Sequence, residues 1–247
     1  MIVAALAAIV ALAWLYLFIE AGDMRAAMAG MDRAMAMPPK SPVDLLLLLA
    51  MWSVMMIGMM LPSVTPVILT FATVNRTRRT RGETYVPTAL FTAGYLLAWL
   101  GYSVAATLAQ WMLERAALLS PMDMMTDSRV LGGILFLAAG LYQFTPLKSA
   151  CLRVCRSPFD FVINHWRDGA AGALRMGAVH GLYCLGCCWI LMLLLFVGGV
   201  MNLAWVAALA VAVLAEKLTT GPWIGRVAGG LLIAYGAWLL SAGSIAG

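Results

Sequence analysis

Charged side chains are scarce in this sequence. Asp, Glu, Lys and Arg make up 11% of its 247 residues, whereas a soluble domain carries about a quarter. Hydrophobic residues make up 64%. This composition excludes an ordinary soluble domain and predicts an all-α, polytopic transmembrane helix bundle in contact with the lipid bilayer. The net charge of +5 does not indicate nucleic-acid binding, because basic residues on a membrane protein usually mark its cytoplasmic side.

The usual sequence signatures of catalysis are also missing. The chain has no glycine-rich phosphate loop, no Ser/His/Asp signature and no pair of carboxylates spaced for acid–base work. We therefore predict no organic cofactor and favour a non-enzymatic role. Cysteine is limited to five residues. None falls in a segment that we place outside the cell, so we expect reduced thiols and no disulfide.

Seven hydrophobic runs approach the length of about 20 residues that spans a bilayer. They are Ile2–Ile19, Leu45–Thr70, Tyr85–Leu113, Val130–Leu147, Leu174–Val200, Leu203–Leu218 and Trp223–Leu240. They predict a single integral membrane domain over residues 1–247, with about seven helices. Residues 20–41 would form an outer, Met-rich loop, and residues 148–173 a cytoplasmic, partly helical interfacial segment. Pro62 and Pro66 predict a kink in the second helix, because each removes an amide donor from the helix.

The distribution of basic residues predicts the orientation of the bundle. Most of the 16 Lys and Arg residues follow the second helix, lie within residues 148–173, or flank the turn between the sixth and seventh helices. The positive-inside rule assigns these segments to the cytoplasm. The N-terminus is then cytoplasmic and the C-terminus outside.

The fifth hydrophobic run contains the densest group of metal-capable side chains. His180, Cys184 and Cys188 follow one another at intervals of four residues, so they share one helix face, and Cys187 borders that face. Imidazole and thiol groups are ligands for zinc, copper(I) and iron–sulfur centres. One rigid helix cannot surround a tetrahedral ion, so other helices or a second copy of the chain must complete the site.

A packing role is the alternative for these cysteines. Small cysteine side chains pack well between helices. Gly177 and Gly181, four residues apart, would let another helix approach closely. Both explanations remain open at this point.

The second helix offers thioether ligands. Met55 and Met59 lie one turn apart on one face, at a depth comparable to that of the Cys cluster. Thioether and thiolate together form a soft ligand set that favours copper(I), with zinc as the alternative ion. Methionine also fills gaps and faces lipid in many membrane helices, which is the competing explanation.

A second thiol pair lies close to the membrane boundary. Cys151 and Cys155 are four residues apart and could accept metal on the cytoplasmic side, or could be ordinary thiols of an interfacial helix. The sequence leaves open whether they share a site with Cys184. Glu216 and Lys217 are predicted to mark the membrane interface at the inner end of the sixth helix, and His165 to lie on the surface.

Several of these motifs together resemble a bacterial family of integral membrane proteins that are described as predicted metal-binding. The residues that carry the likeness are Trp52 and Met55, the Met59–Ser63 run, Tyr142–Lys148, Cys151 with Cys155–Pro158, His180–Trp189, Gly198–Asn202 and Glu216–Lys217. The resemblance covers roughly residues 45–221. It implies metal binding and a multi-pass location in the bacterial inner (cytoplasmic) membrane, and it supplies no substrate or mechanism.

Three functional hypotheses follow from the sequence. The leading one is a copper-binding membrane protein that transports the ion, delivers it, or loads a partner enzyme. Its partners would be a metal chaperone, a metalloenzyme, a membrane complex or a second copy of itself. The second hypothesis is a membrane thiol or redox protein, because Cys184 and Cys187 have the C-x-x-C spacing. The third is an accessory subunit in which Cys and Met only pack helices.

Overall fold

A computed structural model gives the fold, and the structure describes residues 1–28, 41–83, 85–119, 125–126, 128–219 and 221–244. These residues form helices and connecting turns, without a β-strand. The helices are α1 (Ile2–Met28), α2 (Pro42–Thr80), α3 (Thr88–Arg115), α4 (Arg129–Tyr142), α5 (Pro146–Arg156), α6 (Pro158–Asn164), α7 (Gly169–Met192), α8 (Leu195–Gly198), α9 (Leu203–Leu218) and α10 (Trp223–Ser244). The predicted all-α class is confirmed.

Local sequence signals explain where several helices begin. α2 starts with a capping box, in which Ser41 accepts from the Asp44 amide and the Asp44 carboxylate accepts from the Ser41 amide. The Thr145 side chain caps α5, and Pro146 occupies its first turn. Asn202 caps α9. Short polar residues thus divide a mostly apolar chain into separate helices.

Five helices of the described chain are long and apolar enough to cross a membrane. α4 and α5 make a sixth candidate if the pair, bent by 64°, counts as one span. α9 begins and ends where the sixth hydrophobic run does, but its 16 residues extend only about 24 Å, less than the roughly 30 Å hydrocarbon core. Seven membrane crossings and their orientation therefore stay predictions.

The long helix α2 continues without a break through Pro62 and Pro66. Side-chain hydroxyls satisfy carbonyls in this region, since Ser63 donates to the Met60 carbonyl and Thr70 donates to the Pro66 carbonyl. Such local partners are how membrane helices tolerate proline. The kink itself stays a prediction.

Helices α3 and α7 pack with their backbones almost in contact. A Cβ atom at Gly177 would lie 1.9 Å from the Phe91 carbonyl oxygen, and one at Gly94 would lie 2.0 Å from the Leu174 carbonyl oxygen. A Cβ at Gly181 would lie 2.6 Å from the Ala98 Cβ. The close approach expected at Gly177 and Gly181 is therefore present, and α3 is the partner helix.

The outer surface of the bundle is apolar. Leu12 and Phe18 on α1, and Leu231 and Trp238 on α10, are each more than half exposed. A soluble monomer rarely exposes such large apolar areas. The surface is compatible with insertion into lipid.

Two segments differ from their predicted form. α1 continues past the expected end at Ile19, so residues 20–28 of the predicted outer loop are helical, and residues 29–40 lie outside the described part of the chain. Residues 148–173 contain α5, α6 and the start of α7. Lys148 and Phe161 are each only 2% exposed, because α5 and α6 fold back against the bundle.

Candidate metal centre

Four thiols from two helices meet in the interior. Cys184, Cys187 and Cys188 project from α7, and each is 1% exposed. Cys155 comes from α5, is 7% exposed, and its thiol interacts with the Cys184 and Cys187 thiols. The Cys187 and Cys188 thiols donate to the Cys184 carbonyl at 3.0 and 2.9 Å. We call these four residues the thiol cluster.

The Cys184 sulfur has the most polar surroundings of the four. The Lys217 ammonium donates to Cys184 Sγ at 2.8 Å and to Ser63 Oγ at 2.9 Å. The Tyr95 hydroxyl hydrogen-bonds to the same sulfur at 3.1 Å and also lies 3.2 Å from the Met60 carbonyl, to which it can donate. Helices α2, α3, α7 and α9 thus all contribute to this point.

A buried ion pair lies next to the cluster. Lys148 Nζ of α5 is 2.6 Å from Glu216 Oε2 of α9, and both side chains are at most 4% exposed. Arg156 donates through Nε and Nη2 to the Glu216 carbonyl, at 2.9 and 2.6 Å. Breaking a buried pair by removing one partner costs about 3–5 kcal/mol. These contacts hold α5, and with it Cys155, against α9.

His180 is buried one turn before Cys184. Its ring packs edge-on against Phe161 at 4.7 Å and lies 6.1 Å from the Tyr95 ring. Its Nδ1 atom is buried and has no hydrogen-bond partner among the described residues. A buried nitrogen without a partner is costly, and a free imidazole lone pair is a metal ligand.

The remaining predicted ligands are placed as follows. Met55 and Met59 are buried in the core on α2, and their participation in the site stays a prediction. Cys151 is half-buried, and its sulfur lies over Gly186, where a Cβ would be only 2.6 Å away. The two cysteines of α5 therefore have different positions: Cys155 belongs to the cluster, and Cys151 lies at its edge.

The thiols of the cluster and the His180 imidazole are ligand types that suit a soft metal ion. They are not already arranged around one point as metal ligands. Nowhere in the described ranges are three or more His, Cys, Asp or Glu side chains positioned to hold a metal ion. The thiols bond instead to one another, to a carbonyl and to Lys217. Copper(I) accepts thiolate, thioether and imidazole ligands. The cluster thiols and the unpartnered His180 Nδ1 are donors of these types.

The sequence did not reveal the polar partners of the cluster. Glu216 and Lys217 are 3% and 7% exposed, so both are buried within the bundle, and the expectation that they mark the membrane interface stays a prediction. His165 is half-buried and stacks on Phe161 at 4.7 Å. A signal was available for Lys217, since an ionisable residue in an apolar helix is a functional candidate by default. Tyr95 and Ser63 carried no such signal.

Comparison with known families links this chain to copper. The model of the PpoB2 family, described as a copper chaperone, matches residues 49–239. This range includes the four cluster cysteines, Lys217 and Tyr95. No curated protein and no solved structure matches the chain. The matched range covers most of the sequence, and the chain therefore belongs to the PpoB2 copper chaperone family.

Proposed function

We propose that this protein binds copper(I) at the thiol cluster within the membrane and delivers it to a copper-dependent partner. The observation that carries the proposal is the meeting of Cys155 with Cys184 and Cys187 across two helices. Soft sulfur ligands in a buried, water-poor site favour copper(I) over hard cations. The copper chaperone description of the family supports the same ion.

The Lys217 ammonium acts as a stand-in cation in this proposal. It donates a hydrogen bond to the Cys184 sulfur at 2.8 Å. A metal ion bound to the same sulfur would likewise place positive charge beside it. Copper(I) entering the cluster displaces this contact, while Lys217 keeps Ser63 as a partner at 2.9 Å. A nearby positive charge also offsets the negative charge of a copper ion held by two thiolates.

Cys151 provides the route for transfer. It is the one cysteine of the five that is not buried, and its sulfur lies over Gly186, beside Cys187. A soft ion can move between sulfur ligands by exchanging one at a time, provided that each site holds it weakly enough. In this scheme Cys155 retains the ion and Cys151 passes it to the partner.

The test separates binding from transfer. Full-length protein is purified in detergent under reducing conditions, loaded with copper(I) and washed, and its metal content is measured by elemental mass spectrometry. We expect about one copper per wild-type chain, and loss of most of it in Cys155→Ser and Cys184→Ser. Cys151→Ser is the matched control and should retain copper, but release it at least about tenfold more slowly to a soluble dithiol.

Other results would overturn the assignment. Equal copper in wild type and in both cluster variants would remove the thiol cluster from the site. Zinc retained in preference to added copper(I) would contradict the choice of ion. If wild type keeps no metal after reloading, the copper proposal fails, and a thiol count that changes reversibly with oxidant would then favour the redox alternative.

A further inference from the structure

Two cavities meet at Gln143, at the end of α4. The first has a volume of about 520 Å³ and lies among α4, α7, α9 and α10, with mainly apolar walls that include Phe136, Leu209 and Tyr235. The second has a volume of about 290 Å³ and lies between α5 and the beginning of α10. Its walls include the four basic residues Lys148, Arg153, Arg156 and Arg226. We call them the apolar cavity and the basic cavity.

Gln143 forms part of the wall of both cavities. It is 7% exposed, and neither its amide nitrogen nor its amide oxygen has a hydrogen-bond partner among the described residues. Two unpartnered polar atoms at one buried side chain are costly. A ligand that passes between the cavities and carries a hydrogen-bond acceptor at this point would supply the partner that the Gln143 amide nitrogen lacks.

Gly225 keeps the junction between the cavities open. A Cβ at this position would lie 3.5 Å from Gln143 Oε1 and 3.6 Å from Glu216 Oε1. These are ordinary contact distances, so alanine fits, whereas a longer side chain would extend into the junction. The position therefore offers a way to block the passage without changing any charge.

Two of the four basic side chains in the basic cavity make no ion pair or hydrogen bond with the described residues. Lys148 and Arg156 are engaged with Glu216. The side chains of Arg153 and Arg226 have no ion-pair or hydrogen-bond partner in the described part of the chain, and both are exposed. Guanidinium groups match the geometry of phosphate oxygens. Basic pockets between membrane helices on the cytoplasmic side are typical sites for acidic lipid headgroups.

We propose that one anionic phospholipid binds here, with its phosphate at Arg153 and Arg226, its ester region at Gln143 and an acyl chain in the apolar cavity. A free phosphate ion would leave the apolar cavity and the Gln143 amide without a role. A zwitterionic lipid carries no net negative charge to balance the two arginines. The lipid fills the space between the α4/α10 pair and α9, which carries Glu216 and Lys217.

Native mass spectrometry of the full-length protein tests the headgroup contacts. The protein is reconstituted with equal amounts of phosphatidylglycerol and phosphatidylcholine, extracted, and its retained lipids are counted. We expect wild type to retain one phosphatidylglycerol. In Arg153→Gln/Arg226→Gln the preference over phosphatidylcholine should fall about thirtyfold, the factor for two cationic contacts. Arg76→Gln/Arg81→Gln removes equal charge from exposed positions elsewhere and should leave the preference unchanged.

A second pair of variants distinguishes a lipid from a free phosphate. Gly225→Leu should reduce phosphatidylglycerol retention while Gly225→Ala preserves it, and millimolar inorganic phosphate should not displace the lipid. Displacement by phosphate, together with an unaffected Gly225→Leu variant, would assign the site to a free anion and overturn the proposal. Equal lipid retention in wild type and the arginine pair would also overturn it. If Gly225→Leu does not fold, the lipid preference of the Arg153→Gln/Arg226→Gln variant decides whether the proposal stands. None of these readouts involves copper.

Discussion

At the scale of single residues, Lys217 is the unusual member of the site. An ammonium buried in an apolar bundle needs a compensating partner, and Lys217 finds two polar ones, Cys184 Sγ and Ser63 Oγ. The adjacent Glu216 points instead to Lys148. Two neighbouring charged residues on α9 therefore serve different contacts, one with the thiol cluster and one with α5.

Replacing Lys217 tests its role as the counter-charge of the cluster. Lys217→Gln keeps a donor for Ser63 but removes the positive charge beside Cys184. We expect copper(I) affinity to fall about tenfold, because the thiolates lose a nearby cation. We also expect an alkylating reagent to modify Cys184 more slowly at neutral pH. Affinity is measured by competition with a chromogenic copper(I) chelator.

The control for this prediction removes a positive charge that does not touch the thiols. Arg76→Gln, at an exposed position near the end of α2, should leave copper affinity within about twofold of wild type, because exposed charges are screened by solvent. An unchanged or higher affinity in Lys217→Gln would show that Lys217 acts only as the cation that copper displaces, and that its charge does not support the bound ion.

At the scale of helices, the α3/α7 contact positions the site. The backbones approach so closely that Gly177 and Gly94 have no room for a Cβ. This approach brings Tyr95 of α3 within 3.1 Å of the Cys184 sulfur of α7. The glycines therefore support the packing of α3 against α7, and whether the cysteines between these helices bind metal or only pack stays open to test.

A leucine at Gly177 should separate these helices. Its Cβ would lie 1.9 Å from the Phe91 carbonyl oxygen, so the backbone must move, at a cost of more than about 3 kcal/mol. We expect Gly177→Leu to lose the monodisperse peak in size-exclusion chromatography and to unfold at lower temperature. Gly101→Leu on α3 is the control, because nothing lies within 4 Å of a Cβ there. Equal behaviour of the two variants would refute close packing.

The helices also show what local sequence can predict. The range of α9 matches the sixth hydrophobic run, since Asn202 caps its start and the apolar run ends where the helix does. α4 ends at Tyr142, before the end of the fourth run, because the chain turns by 64° into α5 at Thr145 and Pro146. A hydropathy pattern cannot locate that bend, since Gln143 and Thr145 are single polar residues between apolar neighbours.

At the scale of the whole molecule, the membrane topology depends on α9. Five single helices and the bent α4/α5 pair account for six possible spans in the described chain, and α9 would be the seventh. Its length is about 24 Å, so spanning requires local thinning of the bilayer or burial of its ends. Its Lys217 end is buried, which is compatible with the second option.

Reporter fusions at the two ends decide this point. With seven spans, a fluorescent protein at the N-terminus should be active in the cytoplasm, and alkaline phosphatase at the C-terminus should be active outside. The reciprocal fusions serve as controls and should be inactive. Both termini on the same side would mean that either α9 or the α4/α5 pair does not cross the membrane.

The sequence by itself determined the all-α class, the presence of helices apolar enough to cross a membrane, and the shared face of His180, Cys184 and Cys188, because hydropathy and helical periodicity are properties of consecutive residues. Only the tertiary structure decided that Cys155 joins Cys184 while Cys151 stays at the edge, and that Lys217 reaches the Cys184 sulfur. Those contacts join residues of α5, α7 and α9, which are far apart in the chain, and they depend on how close the helices approach. That distance is set by glycine packing and by the Lys148–Glu216 pair. The spacing of Gly177 and Gly181 predicts a close approach without naming the partner helix, and no local pattern encodes the ion pair.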